Sequence, residues 1–394
     1  MTGRVCYACG ATGDGARCDC GEPLWTPERE TDGWPTAADP SLWRYRDLLP
    51  VDPPSGLGAA VGGTPLVRAP RLDDAVGGAT VRVKFEGAHP TGTFKDRGTA
   101  VGVAGALARG VGAVATVSHG NMARSVAAHA ASEGLAAVVC VPADVPAERL
   151  ATIARHDPTI LRVDGDYGRL YGAALDAGAE AGVAVINSDT PLRVAGQKTT
   201  GLEILEHSDP DVVVMPVSSG GHASGVWKAI REATASGLVD DPPRLYLAQA
   251  AGCAPVAAAY DRGADTVTRV EPSETVAYSI ANADPPSGTR ALAAARETGG
   301  AVLAVDDEAI LESRSLLAER AGLFVETSCA TPLAAARELA DRDEIEGGDE
   351  VALVATGTGY TERDVGDAPP PDTTDVDLAG LGDAMRAAVG DRRR

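Results

Sequence analysis

Two short runs in this sequence have the residue types and spacing of reactive sites. The first is His89-Pro90-Thr91-Gly92-Thr93-Phe94-Lys95-Asp96-Arg97-Gly98. It follows a candidate strand and a Pro-Thr-Gly turn, and it precedes a helix expected to start near residue 99, which places Lys95 at a strand-to-helix corner. A lysine that condenses with a carbonyl must give up its proton near neutral pH, and a tight corner between two lobes supplies the desolvation that lowers its pKa. The competing reading is an ordinary surface lysine beside Asp96 and Arg97.

The second run is Pro216-Val217-Ser218-Ser219-Gly220-Gly221-His222-Ala223-Ser224-Gly225, between a candidate strand and a candidate helix. Backbone N–H groups of such a loop, with a helix dipole behind them, bind a phosphate dianion. A plain strand-to-helix turn is the alternative. Neither a Gly-Lys-Ser/Thr nor a G-x-G-x-x-G spacing is present, so the run fits neither nucleotide-binding fingerprint. Two further strand ends carry polar groups, Ser118-His119-Gly120-Asn121 and Thr356-Gly357-Thr358-Gly359. Ligands of open α/β sheets sit beyond the carboxyl ends of the strands, so these four loops are expected to converge on one cleft.

A third cluster lies at the amino terminus, where Cys6-x2-Cys9 is followed by Cys18-x-Cys20. Gly10, Gly13 and Gly15 allow the tight turns that a tetrahedral site requires, and four thiolates are suited to a structural zinc ion. Free thiols or an iron site are the alternatives. Arg4 and Arg17 are the basic residues among the cysteines, too few to favour a nucleic-acid-binding ribbon. Cys140, Cys253 and Cys329 lie in apolar or Ala-rich surroundings and read as packing residues.

The elements that must position these groups follow from hydrophobic patterning. After an irregular arm over 21–63, short apolar runs alternate with stretches of helical period, the pattern of a parallel sheet. Strands are predicted at 81–85, 113–117, 136–141, 160–163, 183–186, 212–217, 245–248, 301–305 and 351–354. Helices are predicted at 99–108, 123–133, 147–155, 169–181, 200–207, 224–236, 308–321 and 332–341. This exceeds one comfortable sheet and predicts an α/β fold of two lobes, each a mostly parallel sheet flanked by helices. The expected divisions are a cysteine-rich module over 1–30, a large lobe over 31–88 and 190–363, and a small lobe over 89–189. A loop near 189–197 crosses back to the large lobe, and an acidic tail over 364–394 ends in a short helix at 378–389.

Composition narrows the partners. With 44% hydrophobic residues but three Phe, the core must be aliphatic, and a formal charge of -21 argues against nucleic acid and for a small-molecule substrate. Of 35 basic residues four are lysine, namely Lys84, Lys95, Lys198 and Lys228. Abundant acid with scarce lysine fits a halophilic protein in a salt-rich cytosol, or equally a GC-rich genome. Either way, a retained lysine has a raised prior of being used. No run reaches the roughly 18 to 20 apolar residues that span a bilayer, and no targeting segment is evident, so a cytoplasmic protein without membrane contact is expected. Homodimeric assembly is also expected.

The run at 90–98 resembles the cofactor-lysine motif of the threonine synthases, pyridoxal-phosphate enzymes of fold type II related to the tryptophan synthase β chain. The segment Asn187-Ser188-Asp189-Thr190-Pro191-Leu192-Arg193-Val194-Ala195-Gly196-Gln197-Lys198-Thr199 resembles a second motif of that family. The similarity continues through Glu274-Thr275-Val276-Ala277, Glu326-Thr327-Ser328 and Thr356-Gly357-x-Gly359, covering roughly residues 60 to 362. It implies that Lys95 is the catalytic lysine holding pyridoxal 5'-phosphate as a Schiff base and that Asn121 contacts the cofactor hydroxyl. It also implies that Ser218, Ser219, Gly220, Gly221 and His222 cradle the cofactor phosphate, and that Thr356 faces the pyridine nitrogen. Asn187, Ser188 and Arg193 match positions that grip the substrate phosphate, an arginine suiting that task by its forked donors. Ser118 and His119 are placed beside them as substrate contacts, although His89, His119 and His222 read first as supporting donors.

The implied reaction converts O-phospho-L-homoserine and water to L-threonine and phosphate. Three departures lie near the ligand. His89 stands where Asn is usual, Met122 replaces a threonine, and Ser218-Ser219-Gly220-Gly221-His222 replaces a Gly-Asn-Ala-Gly-Asn pattern. The Ser-Gly-Gly stretch leans toward the serine/threonine dehydratase branch. That leaves a dehydratase, an O-phosphoserine β-replacement enzyme, or an inactive protein binding pyridoxal phosphate and zinc as alternatives.

Overall fold

The nine predicted apolar runs all form strands, within three residues of the expected ends, and most are too apolar on both faces to lie at a surface. In the computed structural model they divide between two sheets, and residues 3–362 apart from 37, 165 and 166, together with 373, 376 and 384–386, are described. The strands are β1 (Arg4–Cys6), β2 (Thr12–Gly13), β3 (Leu24–Trp25), β4 (Leu66–Arg68), β5 (Thr80–Phe85), β6 (Ala113–Val117), β7 (Ala136–Pro142), β8 (Thr159–Val163), β9 (Ala184–Val185), β10 (Val212–Pro216), β11 (Arg244–Ala250), β12 (Val302–Val305) and β13 (Glu350–Ala355).

The six-stranded sheet runs β12-β11-β10-β13-β5-β4 and is parallel except for β4, which pairs antiparallel to β5. The four-stranded sheet runs β8-β7-β6-β9 and is parallel throughout. Every residue of β10 is buried, which places that strand at the centre of its sheet and points its carboxyl end at Ser218. Val, Ala and Leu make up most of the packing around the large sheet, as the scarcity of Phe requires. The cysteine-rich module is a small antiparallel sheet, β2-β1-β3.

Helices differ from the prediction at four informative places. The expected crossing loop at 189–197 contains a helix, Pro191–Gln197, with Pro at its first turn and every residue except Leu192 buried. Buried Arg193 and Gln197 break the apolar period there, which is why patterning missed it. Helices Pro255–Asp261 and Gly288–Glu297 are also additional. The helix expected from 99 begins at Lys95 itself, so that lysine occupies the first turn. Met1–Thr361 form one unit and Glu362–Arg394 a second. Of the tail helix expected at 378–389, the part over 384–386 is helical and the rest lies outside the described residues. Among the described residues no helix is long and apolar enough to cross a membrane.

Candidate active site

The neighbours of Lys95 in sequence fix its corner from both sides. Arg97 is fully buried and donates to Glu86 at 2.6 and 2.9 Å, to Glu203 at 2.6 and 2.7 Å, and to Thr64 and Thr199 at 2.8 and 2.9 Å. Lys84 adds a second cation to Glu203 at 2.6 Å, so two cations meet two carboxylates and the buried network balances. Asp96 turns the other way and accepts from Thr91 N–H, Thr91 Oγ1 and Ser125 Oγ at 2.8, 2.6 and 2.6 Å. Neither residue is a surface partner for Lys95, and the surface-lysine reading fails.

The corner is also stitched to the end of β13. Phe94 N–H donates to the Thr356 carbonyl at 2.9 Å, and Thr358 N–H donates to the Gly92 carbonyl at 3.0 Å. Gly92 has φ +77°, and a Cβ there would sit 2.8 Å from Thr358 Cγ2. Lys95 Nζ lies 4.4 Å from the centroid of the Phe94 ring, and that ring stacks on His222 at 4.0 Å. Burial pulls the Lys95 amine down to about 8, against the opposing pull of Glu326. An amine so placed gives up its proton far more readily than a free lysine.

Lys95 opens into a cavity of about 190 Å3 whose lining includes Ser118, Met122, Ser188, Arg193 and Gln197. Ser218, Ser219, Gly220, His222, Glu326 and Thr356 complete its functional wall. The loop after β10 leads directly into helix Gly221–Ala235, whose first-turn N–H groups have no intrahelical acceptors. Gly220 has φ +85°, and a Cβ on it would fall 2.3 Å from the Ser287 carbonyl, while one on Gly221 would fall 2.2 Å from the Ser188 carbonyl. The loop is thus bare backbone packed against two neighbouring segments, a shape suited to an anion.

Behind it, buried Arg290 donates to Ser224 Oγ at 2.8 Å and Ser287 Oγ at 3.1 Å, adding positive potential. His222 places Nε2 3.0 Å from Thr200 Oγ1, and its Nδ1 is buried without a hydrogen-bond partner. Burial lowers its pKa to about 3, so the ring is neutral at physiological pH.

Arg193 is 2% exposed and donates toward Met122 Sδ. Gln197, oriented so that both of its amide groups are satisfied, accepts from Arg193 Nη2 at 2.9 Å and donates to the Gly221 carbonyl at 3.1 Å. Among the described residues no carboxylate reaches Arg193 at ion-pair distance, and burial lowers its pKa to about 10. A guanidinium held this way is short of an anion.

Several expected site residues stand apart from the cavity wall. Asn121 Nδ2 donates to Glu326 Oε1 at 2.7 Å, while its oxygen accepts from Arg124 at 2.8 Å. Asn187 Oδ1 accepts from Thr116 Oγ1 and Val117 N–H at 2.8 and 3.1 Å, tying the loop to the end of β6. His119 and Gly221 are not among the lining residues, and His119 is half-buried. Patterning gave no role to Glu326, Gln197 or Arg290. Glu326 and Gln197 stood inside matched motifs, but the signal for Arg290 is burial and contact, which one sequence does not display. Thr356 Oγ1 lies 3.0 Å from Cys329 Sγ, and burial pushes that thiol up to about 12, so Cys329 meets Thr356 as a neutral group.

The four amino-terminal cysteines also converge. Their sulfur atoms all lie within 4.8 Å of one another, with Cys6–Cys20 and Cys9–Cys18 both at 3.6 Å and Cys9–Cys20 at 3.9 Å. These separations are far longer than a disulfide bond of about 2.05 Å. They approach the edge of about 3.8 Å that follows from tetrahedral geometry with metal–sulfur bonds of about 2.3 Å.

A lysine whose amine is readily freed, a bare glycine cradle, a neutral hydroxyl at the end of β13 and the orphaned His222 nitrogen together fit a phosphorylated aldehyde cofactor with a ring nitrogen. The fold and this site define a pyridoxal-phosphate enzyme of mixed α/β type. The chain belongs to the pyridoxal-phosphate dependent enzyme family, whose pattern it matches over residues 57–357.

Within that family it is similar to the threonine synthase of Methanosarcina acetivorans, at 36% identity over 89% of this chain and 87% of that one. It is also similar to the threonine synthase of Methanocaldococcus jannaschii, at 34% identity over 82% and 81% of the two chains. Among solved structures, the T.th. threonine deaminase has a TM-score of 0.64 at 28% identity, over 78% of this chain and 94% of that one. Maize serine racemase, at TM-score 0.65 and 23% identity over 84% and 94%, shares the fold.

Proposed function

We propose that the protein is a threonine synthase-like lyase that converts O-phospho-L-homoserine and water to L-threonine and phosphate. The observation that carries this reading is Arg193, a buried guanidinium without a carboxylate partner among the described residues, in the same cavity as Lys95. The similarity to threonine synthases over most of the chain supports it. Pyridoxal phosphate, when bound, supplies an electron sink conjugated to the substrate Cα.

Lys95 Nζ would hold the cofactor and take a proton from Cα and then one from Cβ, so that the γ-phosphate leaves; one proton is delivered to Cγ, which becomes the methyl group, and one returns to Cα as water adds at Cβ. Ser218, Ser219, Gly220, Gly221 and His222 form the cofactor-phosphate cradle, with Arg290 behind it. Thr356 faces the ring nitrogen with a hydroxyl, and Asn121 acts on the cofactor oxygen from its place beside Glu326. Arg193 and Ser188 receive the substrate phosphate, Asn187 holds that loop to β6, and Ser118 and His119 border the amino-acid end. The large lobe is 31–88 with 190–363, the small lobe 89–189, the cysteine module 1–30 and the acidic tail 364–394.

Cys6, Cys9, Cys18 and Cys20 hold a structural zinc ion in this reading, supported by their near-tetrahedral spacing. Cytoplasmic location, a homodimer and adaptation to high salt complete the proposal. The salt adaptation is supported by the burial of Lys84, Lys198 and Lys228, which leaves arginine as the surface cation.

The test is product analysis of the purified holoenzyme. Phosphate release from O-phospho-L-homoserine with stoichiometric L-threonine is the expected result. Keto-acid release from L-serine or L-threonine, without turnover of the phosphorylated substrate, would instead establish the dehydratase that the Ser-Gly-Gly loop favours.

A further inference from the structure

The cysteine module is physically joined to the substrate loop through one side chain. Arg17 sits next to Cys18, and its Nη1 donates back into the module to the Gly21 carbonyl at 2.9 Å. Its Nη2 leaves the module and donates to Asp189 Oδ2 at 3.2 Å and to the Pro286 carbonyl at 3.0 Å. Asp189 is buried and accepts from Tyr171 on its other oxygen at 2.5 Å, so its carboxylate is clamped from two sides.

Both recipients of Arg17 adjoin the cavity. Asp189 follows Ser188, which lines it and whose carbonyl packs on Gly221. Pro286 precedes Ser287, whose carbonyl packs on Gly220 and whose N–H donates to the Ser219 carbonyl at 2.9 Å. One guanidinium therefore bridges the two segments that wall the glycine loop. A second tie runs in parallel, since Arg290 donates to the Pro23 carbonyl at 3.3 Å from within the same loop cluster.

We infer that Arg17 is a positioning residue for substrate binding, and that metal held by Cys6, Cys9, Cys18 and Cys20 sets, through it, the geometry of segment 187–193, the loop and the first turn of helix Pro191–Gln197. The physical reason is the size of the module. Its sheet has strands of two or three residues, too short to hold a fixed shape from hydrogen bonding alone. A tetrathiolate metal supplies the missing order, as it does in small metallo-domains generally. With the metal gone, the turn carrying Arg17 loses its anchor, and the Asp189 clamp keeps only Tyr171. The loop then samples conformations in which Ser188 and Arg193 no longer present their donors together. Arg17 touches no reacting atom, so the effect falls on binding more than on chemistry.

This inference rests on the proposed role of the 187–193 loop in substrate binding. The experiment uses full-length holoenzyme, zinc-loaded or stripped with a chelator under reducing conditions, as wild type, Arg17→Ala and Arg17→Lys. Amide hydrogen exchange over 186–193 is read first, because it does not depend on which substrate the enzyme uses. Exchange at least about threefold faster in stripped wild type and in loaded Arg17→Ala is expected, with stripping of Arg17→Ala adding nothing further. Under turnover of O-phospho-L-homoserine, KM should rise about fivefold in the same two forms with kcat changed less than about twofold. Arg17→Lys should fall between.

Unchanged exchange on stripping, additive effects of stripping and Arg17→Ala, or failure of the loaded protein to hold zinc would each overturn the inference. If O-phospho-L-homoserine is not turned over by wild type while exchange still responds, the coupling stands and the substrate assignment falls.

Discussion

Phe94 and Thr356 are joined by a backbone hydrogen bond of 2.9 Å, from the N–H of one to the carbonyl of the other. The bond couples the turn that presents Lys95 to the strand end that places Thr356 in the lining of the same cavity. The amine and the hydroxyl come from opposite ends of the chain, yet they are held as one rigid wall.

The first prediction concerns that amine. Lys95→Ala should lose borohydride-trappable cofactor and lower kcat by about three orders of magnitude or more, with little loss of thermal stability. Peptide mapping of reduced wild type must recover the label at Lys95, and a label on Lys84, Lys198 or Lys228 would refute the assignment.

A second follows from the Lys95 pKa of about 8, lowered chiefly by burial. The rate at which apoenzyme captures pyridoxal phosphate should rise with pH and level off above about pH 8, well below the 10.5 of a free lysine. The linked stability has a definite sign. The unfolded chain binds more protons than the folded one between about 8 and 10.5, so the apoenzyme loses a destabilising contribution as pH rises through that window. Stopped-flow absorbance across pH 6 to about 10 checks the plateau.

Arg193 provides a third. Arg193→Ala should raise KM for O-phospho-L-homoserine by about 30-fold or more, the size expected when a buried charge-assisted phosphate contact is lost. Arg193→Lys should recover part of this, because a point charge replaces a fork. Equal losses with unphosphorylated serine or threonine would argue that the guanidinium does not serve a phosphate.

The buried network gives a fourth. Glu203→Gln leaves Arg97 and Lys84 facing one carboxylate, and unfolding measurements should register a loss of about 3 kcal/mol. Burial by itself would raise the Glu203 pKa, but Arg97 and Lys84 outweigh it and hold it at about 2; for Asp96, His129 and Ser125 likewise outweigh burial, again at about 2. Stability from these two carboxylates is complete above about pH 4.5 and is lost as pH falls toward about 2, so denaturation midpoints should drop across that window.

A fifth concerns the metal. Elemental analysis should find about one zinc per chain, and Cys9→Ser should release it while the pyridoxal-phosphate absorbance persists. Retention of zinc by Cys9→Ser would place the metal elsewhere.

How much of this was legible beforehand depended on the kind of signal each residue leaves. Strands such as 113–117 (Ala-Val-Ala-Thr-Val) and 212–216 (Val-Val-Val-Met-Pro) are apolar runs that mark themselves. The Lys95 and Ser218–Gly221 corners carry Gly and polar residues at strand ends, which also mark themselves. Helix Pro191–Gln197 was hidden because its buried face includes Arg193 and Gln197, whose polarity imitates a loop. Asp96 and Arg97 were misleading for the same reason, since their charges suggest solvent while both side chains are inside.

The order of residues along the chain determined which groups could react: a scarce lysine at a tight corner, a glycine loop after a central strand, and four closely spaced thiols. Those are local properties, set by residue type and by backbone conformations that a few neighbours dictate. The tertiary structure alone decided which groups share a cavity, that Arg193 has no carboxylate partner among the described residues, and that Arg17 reaches Asp189 across 172 positions. Such facts depend on burial and on distances between remote segments, because the free energy of a charge or a hydrogen bond is set by what folding places around it.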